Sequence, residues 1–187
     1  GVTHGGWDPA AHRFRLYTLV IGSHTLHATG YAMGVAKDGA IGTGDPDRDT
    51  AVIAYGRNDR GIPRLHGVRL TGSGDVTQTN HAWKRDDVGT FVPTPIAYKG
   101  RVILVGDKGE VTSVDPVSGK TIWVGSFPKS RSNFYASPLV AGDKLFAPRE
   151  DGVVFVASIA NDKFELLSEN DMAESVIGSP VPASNRL

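Results

Sequence analysis

The sequence predicts an all-β fold built from four-stranded antiparallel β-propeller blades, about three of them plus partial strands, forming an incomplete propeller. Three observations predict it. A sequence unit recurs every 42 to 43 residues, short apolar runs of strand length alternate with turn chemistry, and 23 Gly with 11 Pro leave little room for long helices.

The repeat comes first because it decides the architecture. Thr94-Pro95-Ile96-Ala97, Ser137-Pro138-Leu139-Val140 and Ser179-Pro180-Val181-Pro182 are versions of one motif, their first prolines 43 and then 42 positions apart. The same offset relates Gly109 to Gly152, Val111 to Val154, Lys120 to Lys163, and Arg101-Val102-Ile103 to Lys144-Leu145-Phe146. A period of roughly 40 to 50 residues made of short strands is a propeller period.

The clearest unit resolves into four strands. Pro95 to Tyr98 is the inner strand, and Lys99-Gly100 turns the chain. Arg101 to Val105 is apolar enough to be buried on both faces. Asp107-Lys108-Gly109 supplies a hairpin with Gly available for positive φ. Glu110 to Val114 alternates as a third strand. Asp115-Pro116-Val117-Ser118-Gly119 is a turn, and Lys120 to Val124 is the outer strand carrying Trp123.

The following unit repeats the plan with substitutions: Asp151-Gly152 for Lys108-Gly109, Asn161-Asp162 for Ser118-Gly119, and Leu166 for Trp123. The preceding unit is less regular. Gly34 to Gly39 resembles Pro95 to Gly100, and Trp83 lies 40 residues before Trp123. The stretch between them, 45–64, reads as an insertion with its own strand-like run, Ala51-Val52-Ile53-Ala54-Tyr55. The expected organisation is an N-terminal segment, 1–30, in which Phe14 to Ile21 fits the outer strand of a preceding blade. Blades follow at 31–91 (with the insertion), 92–134 and 135–177, and 178–187 opens a further one. Because the chain starts at Gly1 without a charged n-region and stops at Leu187 inside a unit, the expectation is a segment of a longer propeller. A second expectation is self-association of copies through open blade faces.

Composition excludes several function classes. Zero formal net charge gives no field to draw nucleic acid or anionic lipid, and no apolar run approaches the roughly 18 residues of a membrane helix. Without cysteine there are no disulfides and no thiolate metal sites.

The run Val105-Gly106-Asp107-Lys108-Gly109-Glu110-Val111, continued by Val114-Asp115-Pro116-Val117-Ser118-Gly119-Lys120-Thr121-Ile122-Trp123, resembles the PQQ-repeat pattern. That family includes quinoprotein alcohol dehydrogenases and BamB-like outer-membrane assembly lipoproteins. The resemblance runs from about Gly30 to the C-terminus and is strongest over Val92 to Phe127. It implies a blade fold and an exported bacterial protein, periplasmic or secreted, and it leaves the cofactor open. A PQQ enzyme of this kind would also need calcium and an Asp base, and the lack of vicinal cysteines weighs against that activity.

Candidate sites are few. Trp83 and Trp123 read as packing anchors between blades rather than a platform for PQQ. Asp45, Asp47 and Asp49 have D-x-D-x-D spacing, but Thr50 and Gly56 replace the Gly and Glu of a calcium loop, which favours a solvated turn. His24 and His27 at i,i+3 face opposite sides of a strand and lack a third ligand. Ser23 lacks the second Gly of a nucleophile elbow, and Gly72-Ser73-Gly74-Asp75 is a turn without the Lys of a phosphate loop. Arg57, Arg60, Arg64 and Arg69 with His66 are locally basic but are neutralised by Asp45, Asp47, Asp49 and Asp59. No catalytic residue, cofactor-binding residue or metal ligand is assigned. The expected function is a non-catalytic propeller acting as a binding or scaffold module for a protein partner or for the remaining blades. The alternatives are a fragment of a PQQ-dependent dehydrogenase and a carbohydrate- or peptide-binding propeller.

Overall fold

A computed structural model describes residues 50–55, 63–69 and 78–181, all within the compact unit Asp45–Leu187. The expectations on Phe14 to Ile21, Ser23, His24, His27, Gly34 to Gly39, Asp45, Asp47, Asp49, Arg57, Asp59, Arg60 and Gly72 to Asp75 lie outside the described residues.

Eleven strands are described, in three antiparallel sheets. The first sheet is β1 (Thr50–Tyr55), β2 (Arg64–Arg69) and β3 (His81–Arg85), in that order. The second is β4 (Ile96–Tyr98), β5 (Arg101–Val105), β6 (Glu110–Val114) and β7 (Thr121–Ser126). The third is β8 (Leu139–Ala141), β9 (Lys144–Pro148), β10 (Val153–Ser158) and β11 (Glu165–Asp171). In each sheet the strands pair in chain order, as an up-and-down blade requires. Among the described residues the sheets do not close into a ring, and they form an all-β set of propeller blades.

Most strands fall where the alternation puts them. β5 and β6 have the expected limits, whereas β7 runs on to Ser126 and β4 begins at Ile96, one residue after the proline. The turns follow their residues: Gly109 and Gly152 hold φ of 91° and 96°, and Gly119 (69°) is matched by Asp162 (57°) in the following unit. Asp115 closes its turn by accepting from the backbone N–H and the hydroxyl of Ser118, both at 2.7 Å.

Of the stretch 45–64, read from the sequence as an insertion, 50–55 and 63–64 are among the described residues. Its strand-like run is a full blade member, since Thr50–Tyr55 pairs with Arg64–Arg69 along its whole length. At the other end, Ser179 to Val181 are not in a strand, and the rest of the expected inner strand lies outside the described residues.

β5 shows how blades stack. Val102 and Leu104 face the first sheet and pack with Leu65, Val114, Trp83 and Val88. Ile103 and Val105 face the third sheet and join Val111, Trp123, Phe127, Phe134, Leu145 and Phe155. One strand therefore belongs to two cores, which is why its sequence is apolar without alternation.

Hydroxyls stitch the inner ends. The Thr94 N–H donates to Ser137 Oγ at 3.0 Å, and the Ser137 N–H donates to Ser179 Oγ at 2.9 Å. The Thr/Ser-Pro motif is thus a ladder from one repeat to the next. Proline follows because that residue needs an extended conformation and the ladder takes only the preceding N–H.

Candidate functional site

In an up-and-down blade the connection between second and third strands lies at the same end as the link between blades. Here that end carries Gly106–Gly109, Arg149–Gly152 and the links Asp86–Pro95 and Phe127–Pro138. Between the first and second sheets it opens a cleft of about 320 Å³. One wall is the link from Asp87 to Phe91, and the other is the hairpin around Asp107 with Leu104 and Thr112 beneath.

Polar groups fix both walls and tie one to the other. Arg85 clamps Asp87 through Nε at 2.9 Å and a terminal nitrogen at 2.6 Å, which holds the Asp87 carboxyl below the usual carboxylate range and raises Arg85. The other terminal nitrogen of Arg85 donates to the Gly119 carbonyl (3.1 Å) and Thr121 Oγ1 (2.7 Å), so this clamp joins two blades. Asp107 accepts the Phe91 N–H at 2.8 Å, and the buried Thr90 hydroxyl donates to the Pro93 carbonyl at 2.7 Å. Lys108 donates to the Arg131 carbonyl at 3.0 Å. Phe91 is left half-exposed on the rim. Glu110 lays its carboxylate over Gly106, where a Cβ would stand 2.8 Å from Oε2.

The cleft therefore offers carboxylates, one ammonium group, hydroxyls and an aromatic face. Such a set recognises a polar ligand through hydrogen bonds and stacking. Among the described residues no group of three His, Asp or Glu is placed to hold a metal ion.

Both described tryptophans occupy seams between blades. Trp83 lies over Gly67 and Gly119 and donates its indole N–H to the Pro116 carbonyl at 2.9 Å. Trp123 is 7% exposed and packs beside Phe164, ring centroids 6.4 Å apart. These contacts hold both rings in the seams between blades. Of the basic group, Arg64 stands 3.8 Å from Asp86, while His66 meets His81 across β2 and β3. Sequence reasoning missed that histidine pair, the Arg85 clamp and the cleft. All three depend on strand register or on which loops share an end. The Ser/Thr ladder alone had a sequence signal, in the repeated motif itself.

No family model and no curated protein matches the chain in sequence. Among solved structures it is similar to a europium-containing methanol dehydrogenase (16% identity, TM-score 0.45, 62% of this chain and 22% of that one). It is similar to BamB from Moraxella catarrhalis (16%, 0.48, 64% and 32%). It is also similar to a quinohemoprotein alcohol dehydrogenase from Comamonas testosteroni (16%, 0.44, 58% and 18%). The likeness is one of fold, and this chain spans a third or less of the length of those three.

Proposed function

We propose that the chain is a non-catalytic segment of an exported propeller, serving as a binding or scaffold surface. The observation that carries this reading is the character of the loop-end cleft: its side chains are placed for recognition, and its best-placed acids already hold structure. Asp87 is committed to Arg85 and Asp107 to the Phe91 amide. The tryptophans support the same reading, because each is committed to a seam.

The decisive experiment is titration of the purified protein with PQQ, with and without calcium, followed by quinone absorbance alongside dye-linked alcohol oxidation. No saturable binding and no turnover are expected. Stoichiometric binding with turnover would show a dehydrogenase segment and overturn the proposal.

A second reading is favoured by Phe91, an aromatic at 51% exposure beside carboxylates and hydroxyls. This is the equipment of a carbohydrate- or peptide-binding cleft. Phe91→Ala should abolish binding of such a ligand without changing the melt. A ligand whose affinity ignores Phe91→Ala does not use this cleft.

A further inference from the structure

We propose that His66 on β2 and His81 on β3 form a binding site for a divalent transition-metal ion, copper(II) or nickel(II) ahead of zinc(II). His66 Nδ1 and His81 Nε2 stand 3.0 Å apart, with ring centroids 5.2 Å apart and planes at 58°. Two imidazoles that bind one ion at about 2.0 Å each are separated by about 2.9 Å in a square-planar cis arrangement and about 3.3 Å in a tetrahedral one. The observed spacing lies between these values, and since the two nitrogens face each other along their hydrogen bond, each ring swings to turn its lone pair toward a shared ion.

The backbone makes the pair possible. β2 and β3 are antiparallel, with Gly67 opposite Trp83 and Val68 opposite His81, and an irregularity falls between those two pairs. An undistorted ladder would set His81 opposite Arg69, on the other face of the sheet from His66. The shift brings them together, and the strand scaffold holds them there. Trp83 on the opposite face presses against Gly67, which anchors this register from behind. The pair is thus pre-positioned by the same packing that builds the first blade seam.

Ligand chemistry sets the class of ion. Neutral imidazole suits copper, nickel and zinc, while calcium and magnesium want oxygen donors. With two protein ligands, water completes the coordination, and the order of affinities for nitrogen sites places copper first. Whichever ring now donates in the His–His hydrogen bond moves its proton to its other nitrogen on binding. Both rings then bind as neutral imidazoles and no net proton is released. Lys84 and Arg64 nearby oppose a cation, and Asp86, held by Lys84 at 2.8 Å, offsets part of that repulsion.

The chain has six histidines, so the test must separate this pair from His24 and His27. Calorimetric titration of the whole protein with copper(II) and nickel(II), with paramagnetic resonance of the copper form, reads both stoichiometry and nitrogen ligation. One micromolar-class site with two-nitrogen ligation is expected. His66→Gln and His81→Gln should each weaken it at least about tenfold. The double variant His24→Gln/His27→Gln should leave it intact. Circular dichroism checks that the β2–β3 variants fold, and glutamine keeps a hydrogen-bonding side chain in place. The proposal is overturned if the wild-type protein shows no such site. It is equally overturned if a folded His66→Gln/His81→Gln double variant binds as tightly, or if only the His24/His27 variant loses binding.

Discussion

The two seams of the molecule solve one packing problem with different materials. Between the first and second sheets the seam is mostly aliphatic: Leu65, Val102, Leu104 and Val114, closed by Trp83. Polar bonds finish it, from the Trp83 indole to Pro116 and from Arg85 to Gly119 and Thr121. Between the second and third sheets the seam is aromatic. Phe127 lies 5.0 Å from Phe155, 5.2 Å from Phe164 and 5.5 Å from Phe134, and Trp123 flanks them. Here, among the described residues, the Trp123 N–H and the buried Ser113 hydroxyl opposite it meet no hydrogen-bond partner. The difference traces to one turn. Asp115-Pro116-Val117-Ser118-Gly119 presents a carbonyl and a bare glycine to Trp83. The equivalent turn forms a short 3-10 segment, Ala160–Asp162, with Asn161 and Asp162 both at positive φ. A tryptophan in a seam is therefore an apolar block first, and a hydrogen-bond donor only where the next blade's turn offers an acceptor.

The largest effect should come from hollowing the aromatic seam. Trp123→Ala is expected to cost about 3–5 kcal/mol, because the ring is buried and its neighbours are held by two strands and a loop. Thermal or urea unfolding measures it. A loss below about 1 kcal/mol would mean that the seam closes over the gap and is not the main source of cohesion.

Glycine positions test how tightly each seam is closed. At Gly119, φ is 69° and a Cβ would lie 2.5 Å from the Trp83 ring. Gly119→Ala should therefore combine backbone strain with displacement of Trp83, costing about 2 kcal/mol or more. Gly142, at φ 59° with open space around it, isolates the backbone part, and Gly142→Ala should cost about 1 kcal/mol. Equal losses at the two sites would show that Trp83 gives way freely, and the first seam would be looser than its geometry indicates.

A subtler contrast separates the two indoles. Trp83→Phe and Trp123→Phe remove similar volume, but only the first breaks a hydrogen bond. Trp83→Phe should be the more destabilising by about 1 kcal/mol. The reverse order would mean that the Trp123 N–H has a partner the protein itself does not supply.

These seams also explain what the sequence displays and what it hides. β5 and β6 are legible because a doubly buried strand is a continuous apolar run and its partner alternates between turns with glycine. The first sheet is obscure because β2, Arg64–Arg69, spends its central position on Gly67, where a Cβ would lie 2.3 Å from Trp83. That glycine breaks the alternation, so the blade at 31–91 is expected but β1 reads as a strand inside its insertion. Leu166 replaces Trp123 legibly enough, yet the register shift between Val156 and Ala157 that seats it is invisible without the sheet. The histidine pair is hidden for the same reason, being 15 residues apart and joined only by an irregular register. The cleft is hidden because its walls come from separate loops that share one end of the blades.

The smallest expected effect is a difference in acid sensitivity between the sheets. The His66 value is lowered from 6.5, first by burial and next by the positive charge His81 and Lys84 would present, with Asp86 opposing. The unfolded chain therefore takes up a proton at a pH where the folded sheet still resists it. Stability contributed by neutral His66 is full above about pH 6.5 and declines as pH falls from there toward the folded value. Aspartates work lower on the scale. Asp87 and Asp151 are held below 3.8 by hydrogen bonds from Arg85 and Arg149, so their contribution persists until pH falls through those depressed values. Between about pH 7.5 and about pH 5.5, then, only the first sheet should loosen. Hydrogen exchange with a chelator present, corrected for the intrinsic rate, should show lost protection in β2 and β3 while β9 and β10 hold. His66→Gln should remove the slope. If protection falls alike in the first and third sheets, or the slope survives His66→Gln, the acid response belongs to the whole molecule and the two seams do not differ in this respect.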